Sequence, residues 1–258
     1  QFNNSQSGIS LWYSGHNIIN NNSVYNNSWG ISLATSHFNN ISQNNATDNE
    51  CGLRIDGSVY NIIENNTVNS NNQTGIEFVQ IMNSHNNTIL NNTISNNPLG
   101  VHLIASCSNN HIYHNNIKYN TVQAIDEGTN FWNNSYPFGG NFWSDYSGVD
   151  IKNGPSQNWI GSDGIGDSSY SIGANSDRYP LMNPYTGQTF GETVLPYAVS
   201  WTPTGSSVPQ STTFQIHWNE SMNWTLFESE FSFTDGILNL GSSNGSWSHN
   251  TVTFNSTF

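Results

Sequence analysis

Positive charge is what this 258-residue sequence has least of: four Lys and Arg in all, against 17 Asp and Glu, for a net charge of -13. A chain whose cations are Arg54, Lys118, Lys152 and Arg178 has nothing with which to neutralise a row of phosphates, which excludes nucleic acid and anionic lipid as partners. No apolar run approaches the roughly 20 residues of a membrane span, so no membrane span is expected in this chain. Two cysteines, Cys51 and Cys107, are too few for a disulfide framework. They also fall in different repeats more than two coils apart, at about 4.8 Å per coil, beyond the reach of one bridge. Two buried free thiols are expected. Charged residues are only 8% while aromatics reach 13%, the reverse of a disordered composition. Solubility therefore rests on uncharged polar groups, above all the 45 asparagines.

What is abundant is periodic. Gly8-Ile9-Ser10-Leu11 returns as Gly30-Ile31-Ser32-Leu33, Gly52-Leu53-Arg54-Ile55, Gly75-Ile76-Glu77-Phe78 and Gly100-Val101-His102-Leu103. A period of roughly 22–25 residues marks a solenoid. Behind each opening stand two more apolar columns, Ile19, Ile41, Ile63, Ile89 and Ile112, then Val24, Ala46, Val68, Ile94 and Ile117. Each apolar site alternates with polar neighbours, the two-residue period of a strand. Three short strands per coil predict an all-β chain built on a right-handed parallel β-helix over residues 1–130.

Two asparagine columns recur without exception. One holds Asn22, Asn44, Asn66, Asn92 and Asn115, the other Asn27, Asn49, Asn71, Asn97 and Asn120. A side-chain amide carries donors and an acceptor, so identical amides stacked one per coil form ladders. Asn also tolerates the left-handed backbone of a sharp corner, which these positions are expected to adopt. Other asparagines open Asn-x-Ser/Thr triplets and are candidate glycan acceptors in an exported protein: Asn3, Asn21, Asn26, Asn40, Asn45, Asn65, Asn72, Asn86, Asn91, Asn133, Asn219, Asn223, Asn244 and Asn255.

After Ile125 the period is lost. Phe131-Trp132 and Phe142-Trp143 supply bulky rings where apolar rungs need covering, so residues 131–185 are expected to cap the coil. Residues 186–193 read as a linker. Beyond them, 194–258 alternate in strand fashion at Thr213–Trp218, Glu230–Phe233, Ile237–Leu240 and Thr251–Phe254, which predicts a C-terminal β-sandwich. The opening Gln1-Phe2-Asn3 reads as a processed or excised start, the first rung as partial, and the sandwich as incomplete.

The runs Gly140-Asn141-Phe142-Trp143-Ser144-Asp145-Tyr146, Ser162-Asp163-Gly164-Ile165-Gly166-Asp167 and Asp177-Arg178-Tyr179-Pro180-Leu181 resemble the ending of NosD-like β-helix proteins. That family is common among archaeal surface proteins and is named for a periplasmic copper-insertion factor. The stretch from Pro203 to Met222 is similar to the start of bacterial-type immunoglobulin-like domains of surface-layer proteins. The first resemblance implies a calcium loop at Asp163 and Asp167, with Asp145, Asp150 and Asp177 as partners; an Asp-Gly turn bonding its own backbone is the alternative. It also raises copper, for which His16, His37 and His85, with Met82, are the candidate ligands along one edge. Their irregular spacing makes copper the weaker cofactor reading.

Catalysis finds little support. Acids in the repeats are few, Asp56 and Glu77 do not share a column position, and Arg54 is the one arginine of the coil. The sequence therefore reads as a non-enzymatic structural or adhesive extracellular protein, a subunit of a surface layer, sheath or filament. Homo-oligomers through head-to-tail or strand-addition contacts, and cell-surface glycans, are its expected partners. The alternatives are a carbohydrate-binding or carbohydrate-processing β-helix and a periplasmic copper-binding accessory protein.

Overall fold

The computed structural model describes residues 5–79 and 83–187, and beyond them the backbone of six strands between 198 and 257. Two compact units, 1–193 and 194–258, divide the chain.

The first unit is a parallel β-helix with three strands per coil, stacked into three six-stranded sheets. The long-strand sheet contains Ser7–Trp12, Trp29–Ala34, Cys51–Asp56, Thr74–Val79, Leu99–Leu103 and Val122–Asp126. A second sheet runs from Ile18–Asn20 through Asn40–Ser42, Ile62–Glu64, Thr88–Leu90 and Ser108–Tyr113 to Thr129–Phe131. The third runs from Ser23–Tyr25 through Asn45–Thr47, Thr67–Asn69, Thr93–Ser95 and Asn116–Lys118 to Phe142–Trp143.

Register follows the apolar columns: Ile31 pairs with Leu53, Ile41 with Ile63, and Ala46 with Val68. These residues are wholly buried and form one continuous core along the coil axis. Burying one such side chain contributes roughly 1.5–3 kcal/mol, so the stacked columns supply the main driving force. The recurring glycine has a steric cause. A Cβ on Gly52 would lie 2.5 Å from Val68 Cγ1 and 2.7 Å from the Gly75 carbonyl, so larger residues cannot enter there.

The asparagines line the three corners. Each side-chain amide of Asn22, Asn44, Asn66, Asn92 and Asn115 donates to the Oδ1 of the next, at 2.9–3.1 Å, and Asn115 hands on to Asn141. Asn27, Asn49, Asn71, Asn97 and Asn120 do the same at the next corner, at 2.9–3.2 Å. A third ladder, Asn17, Asn39, Asn61, Asn87, Asn110 and Asn130, fills the remaining corner. Each member stands two residues before the second apolar column, as the Asn22 series stands before the third.

The amides inside the ladders use both their donors and their acceptor. Asn66, for example, donates to Asn92 Oδ1 and to the Ile41 carbonyl, while its own Oδ1 accepts both the backbone N–H and the amide of Asn44. The left-handed backbone does not fall on the ladder asparagines as expected. The left-handed residue at each corner is the one before the ladder asparagine: Asn21, Asn26, Gln43, Asp48, Asn65, Ser70, Asn91 and their equivalents have φ near +55°. The ladder residue itself must keep ordinary backbone geometry to turn its amide into the stack.

The coil also runs further than the repeats suggested. Thr129–Phe131 pairs with Ser108–Tyr113, and Phe142–Trp143 pairs with Asn116–Lys118, because Asn130 and Asn141 continue two of the ladders across the break in the pattern.

In the second unit, Ala198–Thr202, Ser211–Trp218, Thr251–Thr257 and Gly245–Ser248 form a four-stranded antiparallel sheet, and Glu228–Phe233 pairs with Gly236–Gly241. All four segments anticipated from alternation lie in these strands. Among the described residues no helix is long and apolar enough to cross a membrane.

Replacing Asn66 by Ala strands the buried backbone N–H of Asn44 and removes the amide donor to Asn92 Oδ1 and the Ile41 carbonyl. The expected loss is about 2–4 kcal/mol, read as a fall in the urea midpoint. Asn65→Ala, one residue away but exposed, should cost roughly 1 kcal/mol for its left-handed backbone.

Candidate functional site

Chemistry-bearing side chains gather in three places. The first is the outward face of the long-strand sheet. Parallel register places Ser32, Arg54, Glu77 and His102 in one row across four coils. The Arg54 guanidinium lies 4.3 Å from the centre of the Trp29 ring and 3.5 Å from Asp56 Oδ2. His102 Nε2 sits 3.6 Å from Glu127 Oε1. Asp56 is only 7% exposed, and its Oδ1 makes no hydrogen bond among the described residues. Asp56 and Glu77 stand in adjoining rows of this face, with Arg54 beside both.

The second place is the lower end of the coil, where the sequence says Asn-Phe-Trp twice. In Asn130-Phe131-Trp132, the asparagine amide and the Trp132 indole N–H both donate to Asp126, at 2.8 and 2.7 Å, and the Gly128 N–H adds a third bond. In Asn141-Phe142-Trp143, the Asn141 N–H, the Trp143 indole and the Tyr179 N–H donate to Asp177, at 2.7, 3.0 and 3.0 Å. A ladder that ends leaves its last amide group without a neighbour, and at two corners a carboxylate takes that role. At the third, Asn120 donates to Gln123 Oε1. The two tryptophans are fully buried and pack with centroids 5.7 Å apart; Tyr170 stacks on Trp143 at 4.1 Å. These rings close the coil. The fit is tight, since a Cβ on Gly140 would fall 1.9 Å from Asp177 Oδ1.

The candidate calcium ligands are not brought to one point. Asp177 faces the core, wholly buried among its three N–H donors. Asp145 accepts from the Tyr170 hydroxyl at 3.1 Å. Asp150 accepts from Ser162 Oγ and from the N–H groups of Asp163 and Gly164, Asp163 from Gln157 and the Ile165 N–H, and Asp167 from the Ile151 and Lys152 N–H groups. Burial pushes the Asp163 carboxyl up. These are carboxylates bonding their own loops, the arrangement of an Asp-Gly turn, and they do not fit a shared cation cage.

The third place is the corner between the long-strand and second sheets. His16 stacks on Phe38 at 5.2 Å, Phe38 on Tyr60 at 5.1 Å, and Tyr60 meets His85 edge-on at 6.2 Å. His16, Phe38 and Tyr60 all have φ near +58°, a conformation costing bulky residues roughly 1–2 kcal/mol, and ring stacking offsets part of it. His37 Nδ1 accepts the Val59 N–H at 3.2 Å, and His85 Nδ1 lies 2.9 Å from the Asn86 amide. Both cysteines are buried and free, and burial pushes the Cys51 thiol far up.

The candidate glycan acceptors divide by exposure. Asn21, Asn26, Asn45, Asn65 and Asn72 are exposed, whereas Asn40, Asn86, Asn91 and Asn133 are half-buried. Asn3, Asn219, Asn223 and Asn244, together with Met82, lie outside the described residues, as does the side chain of Asn255.

Residues 1–148, more than half of the chain, match the family model described as "Periplasmic copper-binding protein (NosD)". This chain belongs to the NosD family. It is also similar to the "Probable ABC transporter binding protein NosD" of Stutzerimonas stutzeri, with 37% identity over 106 residues. That match covers 40% of this chain and only 22% of the relative's length. No solved structure matches.

The copper of the NosD family description finds no ready cage in this coil. His16 and His85 are separated by two intervening rings, His37 has committed Nδ1 to the backbone, and both thiols are buried. Among the described residues no three His, Cys, Asp or Glu side chains come together as a metal site. The residues present do not fit a three-ligand copper centre.

The closure of this NosD-family coil titrates. Burial lifts the Asp177 carboxyl from 3.8 to about 7, against the donors that hold it down. Between those values the folded chain keeps a proton that the unfolded chain has lost, so stability falls as pH rises from about 4 to 7. The melting temperature should therefore be higher at pH 5 than at pH 7.5, and Asp177→Asn should flatten that difference.

Proposed function

We propose that this chain works in the cell envelope as a non-enzymatic accessory protein of copper handling, with the β-helix as scaffold rather than metal cage. The family match over residues 1–148 carries this reading, and the periplasmic location in the family's description supports placing the chain outside the cytoplasm. The geometry supports the scaffold part. Rigid sheets, amide ladders and a plugged lower end hold side chains at fixed positions, while the histidines are committed to stacking and corner contacts.

A chimera tests it: the 106-residue matched segment of the Stutzerimonas relative is replaced by the matching segment of this chain. Periplasmic copper retention should be restored in cells lacking the relative, and failure to restore it in a stably exported chimera would overturn the copper reading. Copper titration of the isolated chain tests the scaffold part separately. The parent and a His16→Ala, His37→Ala, His85→Ala triple variant should titrate alike, and one tight equivalent lost in the triple variant would show the cage to be here after all.

A second reading is a structural or adhesive surface subunit, with residues 194–258 as an immunoglobulin-like module and exposed Asn-x-Ser/Thr sites carrying glycans. The observation favouring it is the stiffness that three unbroken ladders give to a rod. Light scattering distinguishes the self-assembling form, for which mass should rise with concentration; a constant monomer mass argues against it.

A further inference from the structure

The corner between the long-strand and second sheets carries side chains that its backbone does not require. The residue before the ladder asparagine is left-handed, and at the other two corners it is mostly Asn, Gln, Asp or Ser. At this corner it is Asn86 and Asn109 in the lower coils, but His16, Phe38 and Tyr60 in the upper three. A second left-handed position at the same corner holds Gly57 in the third coil, Thr35 in the second and Tyr13 in the first. Rings thus stand where asparagine or glycine serves the same fold at less steric cost. Strain retained where the fold does not need it points to a use.

The rings build an apolar stripe. Trp12, Tyr13, Ile18, Phe38, Tyr60 and Ile62 are all between 42% and 77% exposed. Register sets Ile18 and Ile62 in one column on either side of Asn40, and His16, Phe38 and Tyr60 stack in the turn beside it. Trp12 lies against Tyr13 at the upper end. At these exposures the six side chains leave roughly 700 Å² open, more than most monomers show and close to what each partner gives a standard interface.

Charge decides what can cover it. Segments 12–18, 34–40 and 56–62 hold no Lys, Arg or Glu, and their one Asp, Asp56, is buried beside Arg54. Glu64, in the next outward column, accepts from Asn40. Several other exposed apolar side chains adjoin ionisable groups: Val149 and Ile151 flank Asp150, and Tyr119 follows Lys118. A net charge of -13 makes two copies repel over most of their surface, so they close only across a neutral patch. The stripe is such a patch, and its area suits a second copy.

We propose that two copies of this chain pair through this corner, each covering the other's stripe about a two-fold axis. An isologous contact uses the same patch twice and closes at two copies. Pairing rests on neither the copper reading nor the surface-subunit reading.

Light scattering of the full chain at pH 8, over micromolar to submillimolar concentrations, tests it. The mass should rise from 28.6 kDa to twice that value and stop. Ile18→Ser combined with Tyr60→Ser should weaken pairing by about tenfold or more, with the melting temperature of dilute protein unchanged. Ile160→Ser, which removes an exposed isoleucine outside the stripe, should leave pairing as it is. Raising sodium chloride about tenfold should tighten pairing roughly threefold, because salt screens the mutual repulsion, whereas a contact of opposite charges would loosen. A monomer at every concentration would overturn the proposal, as when residues 194–258 or a different partner cover the stripe. So would a mass that passes two copies without a plateau, the open assembly of the surface-subunit reading, or a dimer that the double variant leaves intact.

Discussion

The side-chain amide that bonds its counterpart one coil away is the interaction on which this structure depends. A parallel β-helix must turn three corners per coil, and each corner breaks the strand ladder and exposes backbone groups to the interior. The asparagine amide answers both demands. Its oxygen accepts the backbone N–H and the amide of the coil before, and its nitrogen donates to the coil after and to a strand carbonyl, as at Asn66 and Asn92. Because each amide needs the next, the arrangement is cooperative along the axis, and a ladder cannot simply stop.

The lower end follows from that. Two ladders finish on carboxylates, Asp126 and Asp177, each held also by the indole N–H of the tryptophan two residues after the last asparagine. One feature therefore ends the polar ladder and plugs the apolar core, with Trp132 and Trp143 packed at a tilt across the coil. The acidic loops that follow are organised by the same chemistry on a smaller scale, carboxylates accepting N–H groups of nearby backbone. Interior carboxylates without cations are held by amide, indole and main-chain donors, which at Asp177 offset only part of the effect of burial.

Function is placed on the outside by this arrangement. The interior is filled by Ile, Val and Leu columns and closed amide stacks, so chemistry is confined to outward rows and corners. Membership of the NosD family brings a copper-binding description, and the coil answers it with histidines spent on stacking and backbone contacts rather than gathered.

Much of this was legible in the residues themselves. The three-strand coil, the apolar columns, two of the ladders and the free buried thiols follow from periodicity, because a stacked coil forces identical side chains into identical places. The third ladder was equally periodic and needed only the same offset applied to Ile19, Ile41 and Ile63. Left-handed backbone fell one residue earlier than expected, since an amide aimed into the stack cannot also sit at the turn. What the tertiary structure alone decided lies where the repeat fails. That Asp177 reaches back 36 residues to Asn141, that the candidate calcium carboxylates part company, and that Asp56 meets Arg54 with one oxygen unbonded are contacts between non-equivalent positions. Periodicity determines only what repeats; the ends and faces of a coil are set by contacts that occur once.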